Sequence, residues 1–406
     1  MPIDFNPHFY TNNVHQQVIK SNYVMHQLPM NDSFTKMIDT NYDGIKINKK
    51  NFGRIEKNGE VATLYTITNK NGASVSLSTF GATITSLKVP DKDGNLIDVV
   101  HGYNSVTPYE KSPIGHAGGT IGPYANKISG GKFILNGEEY TLECNKDNGT
   151  THSHGGSDGF DLQNWRAKVL MDGIEFTHIK EDMEDGYPGN VKSKVIYRLG
   201  NDNKLRIEYK VKSDKDTIIN FTNHTYFNLD GAENTYENSV LNHVVEMKNA
   251  SKITENDEKA IPTGKFLDVK NTPFDFSEAK KISDVIGLEH EQLKIGKGFD
   301  QNYCIDNYDG TNILEAATVK SLESGIVLKV STNLPGFQFY TANNLGKSAQ
   351  PNGKDGKKYE KRSGLCVEPQ FFPNSINTPE FKEKGILKKG AEYNREIIYS
   401  FSVENK

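Results

Sequence analysis

Apolar and polar residues alternate along several segments of this 406-residue chain, and that pattern constrains the fold more than any other feature. Residues 205–211 are the clearest case, because every second residue is apolar and the residues between are polar or charged. A period of two places the apolar side chains on one face of a β-strand. Residues 326–330 and 397–403 repeat the pattern, so the sequence predicts a protein built mainly from strands.

Turn signals separate these segments. Asn136-Gly137 lies between two apolar segments and Asp93-Gly94 follows another, and both dipeptides accept the positive φ of a tight hairpin turn. Helical periodicity is sparse, and only residues 283–288 are predicted as a short helix. Because the chain shows no recurring strand-then-helix units and no repeat of about 20–50 residues, an antiparallel sandwich or barrel is favoured.

The first 45 residues show neither clean alternation nor a helical apolar stripe, and they end in the turn-rich run Asn41-Tyr42-Asp43-Gly44. We therefore predict an N-terminal extension over residues 1–45 and one β-sandwich domain over residues 46–406. The apolar residues of the extension, which include Phe5 and Phe9, would allow it to pack on the domain.

Composition argues against several classes of partner. Charged residues make up 25% of the chain, the formal net charge is -4, and no long basic run occurs, so no nucleic-acid partner is expected. No apolar span of about 18 residues is present and residues 1–30 lack a signal-peptide core, so we expect no membrane segment. Three widely spaced cysteines without a CxxC pair favour a reducing, cytoplasmic location, although a secreted protein with few cysteines would also fit.

Three segments carry candidate acid and base residues. His224 lies among amide and hydroxyl residues in Asn220-Phe221-Thr222-Asn223-His224-Thr225-Tyr226, where polar neighbours can fix which ring nitrogen faces a ligand. Glu368 lies between Val367 and Pro369, and apolar surroundings would raise its pKa toward the range of a general base. Each residue also has a structural interpretation, as a hydrogen-bonded histidine at a strand edge and as a glutamate paired with lysine.

His154 precedes Gly155-Gly156, and glycines allow a sharp turn that would present the ring to a ligand or leave it exposed. His152 lies two residues earlier, but no carboxylate or thiolate stands at ligand spacing, so no metal site is expected. Asp300 and Gln338 are polar residues among aromatic ones. They could hold sugar hydroxyl groups, and they could equally be turn residues.

Taken in order, these segments resemble the aldose 1-epimerase (galactose mutarotase) family. The resemblance runs from about residue 49 to the C-terminus. Its motifs are Phe80-Gly81-Ala82-Thr83-Ile84, Val89-Pro90-Asp91, His154-Gly155-Gly156, Asn223-His224-Thr225-Tyr226-Phe227-Asn228, Gly298-Phe299-Asp300, Pro335-Gly336-Phe337-Gln338-Phe339-Tyr340-Thr341 and Glu368-Pro369-Gln370.

The resemblance implies an all-β supersandwich with a shallow sugar cleft, and an enzyme that interconverts the anomers of a free hexose without a metal or other cofactor. It makes Glu368 the base on the anomeric hydroxyl and His224 the acid at the ring oxygen. The implied sugar-binding residues are Asn126, Lys127, His154, Asp300 and Gln338. A small-molecule sugar would be the partner of a monomer or homodimer.

One departure concerns the family pattern Gly-Arg-x-Ala-Asn-Arg. This chain has Gly122-Pro123-Tyr124-Ala125-Asn126-Lys127, so both arginines are missing. Lysine keeps the positive charge but lacks the planar fork that donates two parallel hydrogen bonds. Two alternatives therefore stay open: an epimerase for hexose 6-phosphates, and a carbohydrate-binding protein that kept the cleft and lost catalysis.

Overall fold

The computed structural model describes residues 36–111, 115–346 and 351–404. Every pair of neighbouring strands in this part of the chain is antiparallel, as the alternating segments predicted. The predicted N-terminal extension falls largely outside the described residues. Residues 36–42, which we had assigned to it, instead form a strand, so the first sheet begins before the predicted boundary at residue 46.

The first sheet has six strands in chain order, each joined to the next by a short connection. The predicted turn at Asp93-Gly94 links the last two strands, and the Asp91 backbone N–H donates to the Asn95 carbonyl there. The strands are β1 (Lys36–Tyr42), β2 (Ile45–Arg54), β3 (Val61–Thr68), β4 (Ser74–Ser78), β5 (Thr83–Pro90) and β6 (Leu96–Asp98).

A second sheet has nine strands and contains the three alternating segments of the sequence. Its spatial order is β12-β13-β14-β15-β28-β24-β23-β18-β21. The strands are β12 (Arg166–Val169), β13 (Ile174–Lys180), β14 (Val191–Leu199), β15 (Lys204–Ser213), β18 (Val244–Glu246), β21 (Lys280–Lys281), β23 (Leu314–Lys320), β24 (Ile326–Thr332) and β28 (Glu392–Val403).

A third sheet of five strands carries three of the candidate site residues, Asp300, Gln338 and Glu368. Its spatial order is β20-β19-β22-β25-β26. The strands are β19 (Lys252–Asn256), β20 (Pro262–Asp268), β22 (Asp300–Cys304), β25 (Gly336–Tyr340) and β26 (Cys366–Gln370).

Short elements connect the sheets. Asn136-Gly137 forms the predicted two-residue hairpin turn, and both residues adopt positive φ. The short strands are β7 (Thr120–Ile121), β8 (Lys127–Ser129), β9 (Lys132–Leu135), β10 (Glu138–Thr141), β11 (Thr151–Ser153), β16 (Thr217–Ile218), β17 (Thr222–Asn223) and β27 (Ile386–Leu387). The helices are α1 (Thr107–Glu110), α2 (Ile282–Val285), which matches the predicted short helix, and α3 (Glu291–Gly296). None of the helices in the described residues has the length and apolar character that a membrane crossing would need.

The core lies between the sheets. On β15 the apolar residues are buried and alternate with more accessible polar ones, as a period of two requires. Across the interface, Tyr65 of β3 meets Phe176 of β13 edge to face, with ring centroids 6.4 Å apart. These contacts join the first two sheets through one hydrophobic cluster, so the predicted large antiparallel β-sandwich is confirmed.

The replacement Ile207→Ala should lower the free energy of unfolding by about 2–5 kcal/mol, because the side chain is fully buried and alanine would leave a cavity. Urea denaturation would measure the change. Lys192→Ala, at an exposed position on β14, is the control and should change stability by no more than about 0.5 kcal/mol. Equal losses in both variants would contradict this account of the core.

Candidate active site

Three adjacent strands of the third sheet place polar side chains on one face. Gln338 of β25 stands directly opposite Glu368 of β26, and Asn302 of β22 stands opposite Gln338 on the other side. Asp300 lies two residues before Asn302, so it shares the same face. The Gln338 amide Nε2 donates to Asp300 Oδ1 at 2.6 Å, which ties the two side chains together.

His224 reaches this face from a different part of the chain, immediately after β17. Its backbone N–H donates to the Gly119 carbonyl at 3.0 Å, and its carbonyl accepts from Gly118 N–H at 2.9 Å. The Asn223 side chain also donates to the Gly118 carbonyl, at 3.0 Å. The amide residue that flanks His224 in the sequence therefore helps to hold the loop that positions the imidazole.

The His224 imidazole and the Glu368 carboxylate face each other. Nε2 of His224 lies 3.6 Å from Oε1 of Glu368, and the two side chains are only 7% and 3% exposed. Burial, with a smaller contribution from the nearby His116, lowers the pKa of His224 to about 3. Burial also raises the pKa of Glu368 well above its ordinary value, with a smaller contribution from the negative charge of Asp300. The neutral forms of both groups are therefore favoured in the resting site.

His154 and Asn126 hold one another through two hydrogen bonds, one between their backbones and one from the Asn126 backbone to the His154 ring. The His154 N–H donates to the Asn126 carbonyl at 2.9 Å, and the Asn126 N–H donates to Nδ1 of His154 at 3.3 Å. Both residues have positive φ, which is uncommon outside glycine. The adjoining Gly155 has a φ of +88°, and a Cβ there would lie 2.1 Å from the Gly122 carbonyl oxygen.

All seven predicted site residues line one cleft of about 370 Å³, near the lower end of the range for small-molecule sites. The structure thus brings together side chains from distant parts of the sequence. Their catalytic and binding roles stay predictions. The predicted residues are Asn126, Lys127, His154, His224, Asp300, Gln338 and Glu368.

Lys127 lines the cleft in the position where the family pattern has its second arginine. Its ammonium donates to the Lys259 carbonyl at 2.7 Å and lies 3.9 Å from the Asp147 carboxylate. Burial lowers the pKa of Lys127, and the nearby charge of Lys146 lowers it further. Pro123, at the position of the first missing arginine, is buried and is not among the residues that line the cleft.

The sequence analysis missed His116, which also lines the cleft. Its Nδ1 lies 2.7 Å from Oδ2 of the buried Asp161, and its ring centroid lies 4.6 Å from that of His154 and 5.8 Å from that of His224. A usable signal was present, because His116 stands shortly before Gly118-Gly119 much as His154 stands before Gly155-Gly156. Tyr226 and Tyr340, which lie within the quoted motifs, also line the cleft.

His152 has a structural environment. Its Nδ1 is bonded to the Glu143 carbonyl and its Nε2 to the Tyr187 hydroxyl, each at 2.6 Å. Both ring nitrogens are thus occupied away from the cleft.

Within the described residues, the donor atoms of His224, Cys366 and Glu368 lie within 4.8 Å of one another, a nitrogen, sulfur and oxygen set that zinc can accept. The expectation of a metal-free site stays a prediction.

Comparison with known proteins identifies the family of this chain. The family model described as Aldose 1-epimerase matches residues 63–400. The galactose mutarotase of Sus scrofa is 39% identical over 332 residues, which cover 81% of this chain and 91% of the relative. The aldose 1-epimerase of Escherichia coli K12 is 34% identical over 349 residues, covering 85% and 97%. The chain belongs to the aldose 1-epimerase family.

Solved structures give the same result. The crystal structure of galactose 1-epimerase from Lactobacillus acidophilus NCFM superposes with a TM-score of 0.75 at 26% identity, covering 89% of this chain and all of that one. An aldose epimerase homologue from C. elegans gives a TM-score of 0.73 at 31% identity, with coverages of 83% and 98%. The predicted fold class, family and type of enzyme, an isomerase, are therefore confirmed.

The replacement Gly155→Ala should disrupt the cleft, because its new Cβ would meet the Gly122 carbonyl and because the φ of +88° disfavours alanine. We expect a loss of stability of about 1–3 kcal/mol, together with a clear loss of activity, measured by thermal denaturation and an epimerase assay. Gly94→Ala is the matched control, since its φ is +82° and nothing lies within 4 Å of the new Cβ. Indistinguishable behaviour of the two variants would rule out the steric argument.

Proposed function

We propose that this protein interconverts the α and β anomers of free hexoses such as galactose and glucose, by acid-base opening and closing of the pyranose ring. One observation carries the proposal: a carboxylate and an imidazole face each other at 3.6 Å on a cleft of the size that small molecules occupy. The family membership and the names of the relatives support the reaction type. Those names do not favour a hexose 6-phosphate or a binding-only function.

Ring opening moves two protons. We assign Glu368 to remove the proton from the anomeric hydroxyl, and His224 to donate a proton to the ring oxygen as the bond between C1 and that oxygen breaks. The product is the open-chain aldehyde. Rotation about the bond between C1 and C2 turns the other face of the carbonyl toward the hydroxyl that was formed from the ring oxygen. Reversal of both proton transfers then closes the ring to the other anomer.

The number of protons that Glu368 and His224 hold together fits this reaction cycle. The proposed resting site holds one proton, carried by Glu368, and the lowered pKa of His224 and the raised pKa of Glu368 support this assignment. The reactive form, an ionised carboxylate with a protonated imidazole, contains the same number of protons. A bound sugar therefore needs only to redistribute one proton within the site, and no net exchange with solvent is required.

The remaining predicted residues are proposed to bind and orient the sugar. Asp300 and Gln338 are held together by a hydrogen bond, which fixes their free atoms for sugar hydroxyls. His154 and Asn126 are held by their reciprocal hydrogen bonds, and Lys127 is proposed to take the place of the family arginine as a single cation. The reaction is neither a redox nor a group-transfer reaction, so the chemistry requires no cofactor.

We also propose a cytoplasmic location and a monomeric or homodimeric state. Three cysteines that are free in the described structure support the reducing compartment. Size-exclusion chromatography with light scattering would establish the oligomeric state.

The variants Glu368→Gln and His224→Asn should each lower kcat for mutarotation by about 10²–10⁴-fold, because each removes one proton transfer. Polarimetry of freshly dissolved α-galactose, corrected for the buffer rate, measures the effect. Glu139→Gln, an exposed glutamate outside the cleft, is the matched control and should keep full activity. Wild-type rates equal to the buffer rate on galactose and glucose would refute the proposed reaction, and saturable binding without catalysis would favour the carbohydrate-binding alternative.

The pH profile of kcat/KM should be bell-shaped. On the acid side, activity should fall as a second proton adds to His224, near its pKa of about 3. On the alkaline side, it should fall as the shared proton leaves Glu368, at a pH well above the ordinary glutamate pKa because burial raises the pKa of this group. Activity that instead rises steadily through the alkaline range would show that the deprotonated pair is the active form.

A further inference from the structure

Three histidines line the cleft, and their rings lie close together. The ring centroids of His116 and His154 are 4.6 Å apart, and each lies less than 6 Å from that of His224, at 5.8 and 5.6 Å. Only one of them is proposed to exchange a proton with the sugar. What distinguishes the three rings is the group that faces Nδ1, since that group decides which nitrogen carries the proton.

The partners of His154 and His116 each fix which ring nitrogen carries the proton. The Asn126 backbone N–H can only donate, so Nδ1 of His154 must keep its lone pair and its proton stays on Nε2. The Asp161 carboxylate accepts, so Nδ1 of His116 carries a proton in a charge-assisted hydrogen bond. The first ring cannot be protonated at Nδ1 without breaking its contact, and the second is held by a charged acceptor.

His224 has a third kind of partner. The sulfur of Cys366 lies 3.6 Å from its Nδ1, and both residues are buried. A neutral thiol can donate or accept a weak hydrogen bond, and it accepts when the proton of the ring lies on Nδ1. As an uncharged acceptor it does so without attracting a second positive charge to the ring. Burial raises the pKa of the Cys366 thiol well above its ordinary value, and a negative charge on Asp300 or on ionised Glu368 would raise it further. The sulfur therefore stays a neutral thiol.

The geometry of β26 explains why Cys366 and Glu368 both contact the His224 ring. Cys366 and Glu368 are two residues apart on β26, so their side chains lie on the same face. Cys366 meets Nδ1 at 3.6 Å, while Glu368 meets Nε2 at 3.6 Å. One strand thus contacts both nitrogens of the same imidazole.

We propose that Cys366 is a positioning residue that keeps a proton on Nδ1 of His224, so that Nε2 is the atom that gains and loses a proton during turnover. This inference rests on the proposed role of His224. In the ring-opening step the protonated imidazole gives its Nε2 proton to the ring oxygen and becomes neutral with the proton on Nδ1. When the ring closes, Nε2 takes a proton back, and the bond from Nδ1 to sulfur persists throughout.

Substitutions at Cys366 can separate this role from simple packing. Cys366→Ser keeps a group that accepts a hydrogen bond but packs less well, whereas Cys366→Val fills the space without any acceptor. Serine should keep kcat within about threefold of the wild type, and valine should lower kcat about tenfold with KM unchanged, because one net hydrogen bond corresponds to about that factor. The thermal stability should follow the opposite order, with valine at least as stable as serine.

Cys304→Val is the matched control, because Cys304 lies on β22 of the same sheet and is not among the residues that line the cleft. It should leave kcat unchanged. If Cys366→Val is as active as this control, or if the activities of the Cys366 variants follow their stabilities, the thiol serves packing alone and the proposal is wrong.

A direct measurement does not depend on turnover. Nitrogen-15 NMR of the histidine rings at neutral pH should show His224 with its proton on Nδ1 in the wild type and in Cys366→Ser, and a loss of that preference in Cys366→Val. A wild-type ring with its proton on Nε2 would overturn the proposal. If the wild type shows the Nδ1 proton but no epimerase activity, the proposed function fails and with it the turnover role of Cys366, while its effect on the position of the His224 proton stands.

Discussion

The register of β22, β25 and β26 is the constraint on which the site depends. Side chains alternate with a period of two, so the pairing of Gln338 with Glu368 decides that Asp300, Gln338, Cys366 and Glu368 share one face. A shift of one residue in the pairing of β26 would turn Cys366 and Glu368 away from the cleft. The nine-stranded sheet and the shared core hold these strands in place, so the large sandwich fixes the geometry of a few side chains.

Burial gives those side chains their chemistry. An ionised carboxylate and a protonated imidazole are both costly to bury, and the two costs act in opposite directions on the pKa values of Glu368 and His224. Burial therefore favours the uncharged form of each group. A sugar hydroxyl placed between the two groups can receive and supply protons without moving charge over a long distance, which suits a reaction whose substrate and product have the same composition.

The strands were predictable from local patterns, because alternation and the Asn136-Gly137 turn are properties of neighbouring residues. The motifs also indicated seven residues of the cleft. The contact of His116 with Asp161 and the contact of Cys366 with His224 were not predictable, because each joins segments far apart in the chain. Residues 36–42 were missed as a strand since their sequence does not alternate, and pairing with β2 supplies what the local pattern lacks.

The bond between Gln338 and Asp300 has a consequence for selectivity. It occupies the amide nitrogen of Gln338, and the buried Oε1 of the same side chain has no hydrogen-bond partner within the described residues. That oxygen can only accept, so the matching position of a ligand must bear a donor. If Gln338 binds the sugar as proposed, a deoxy sugar that lacks this donor would leave the buried oxygen without a hydrogen bond, and we expect it to bind more weakly for that reason.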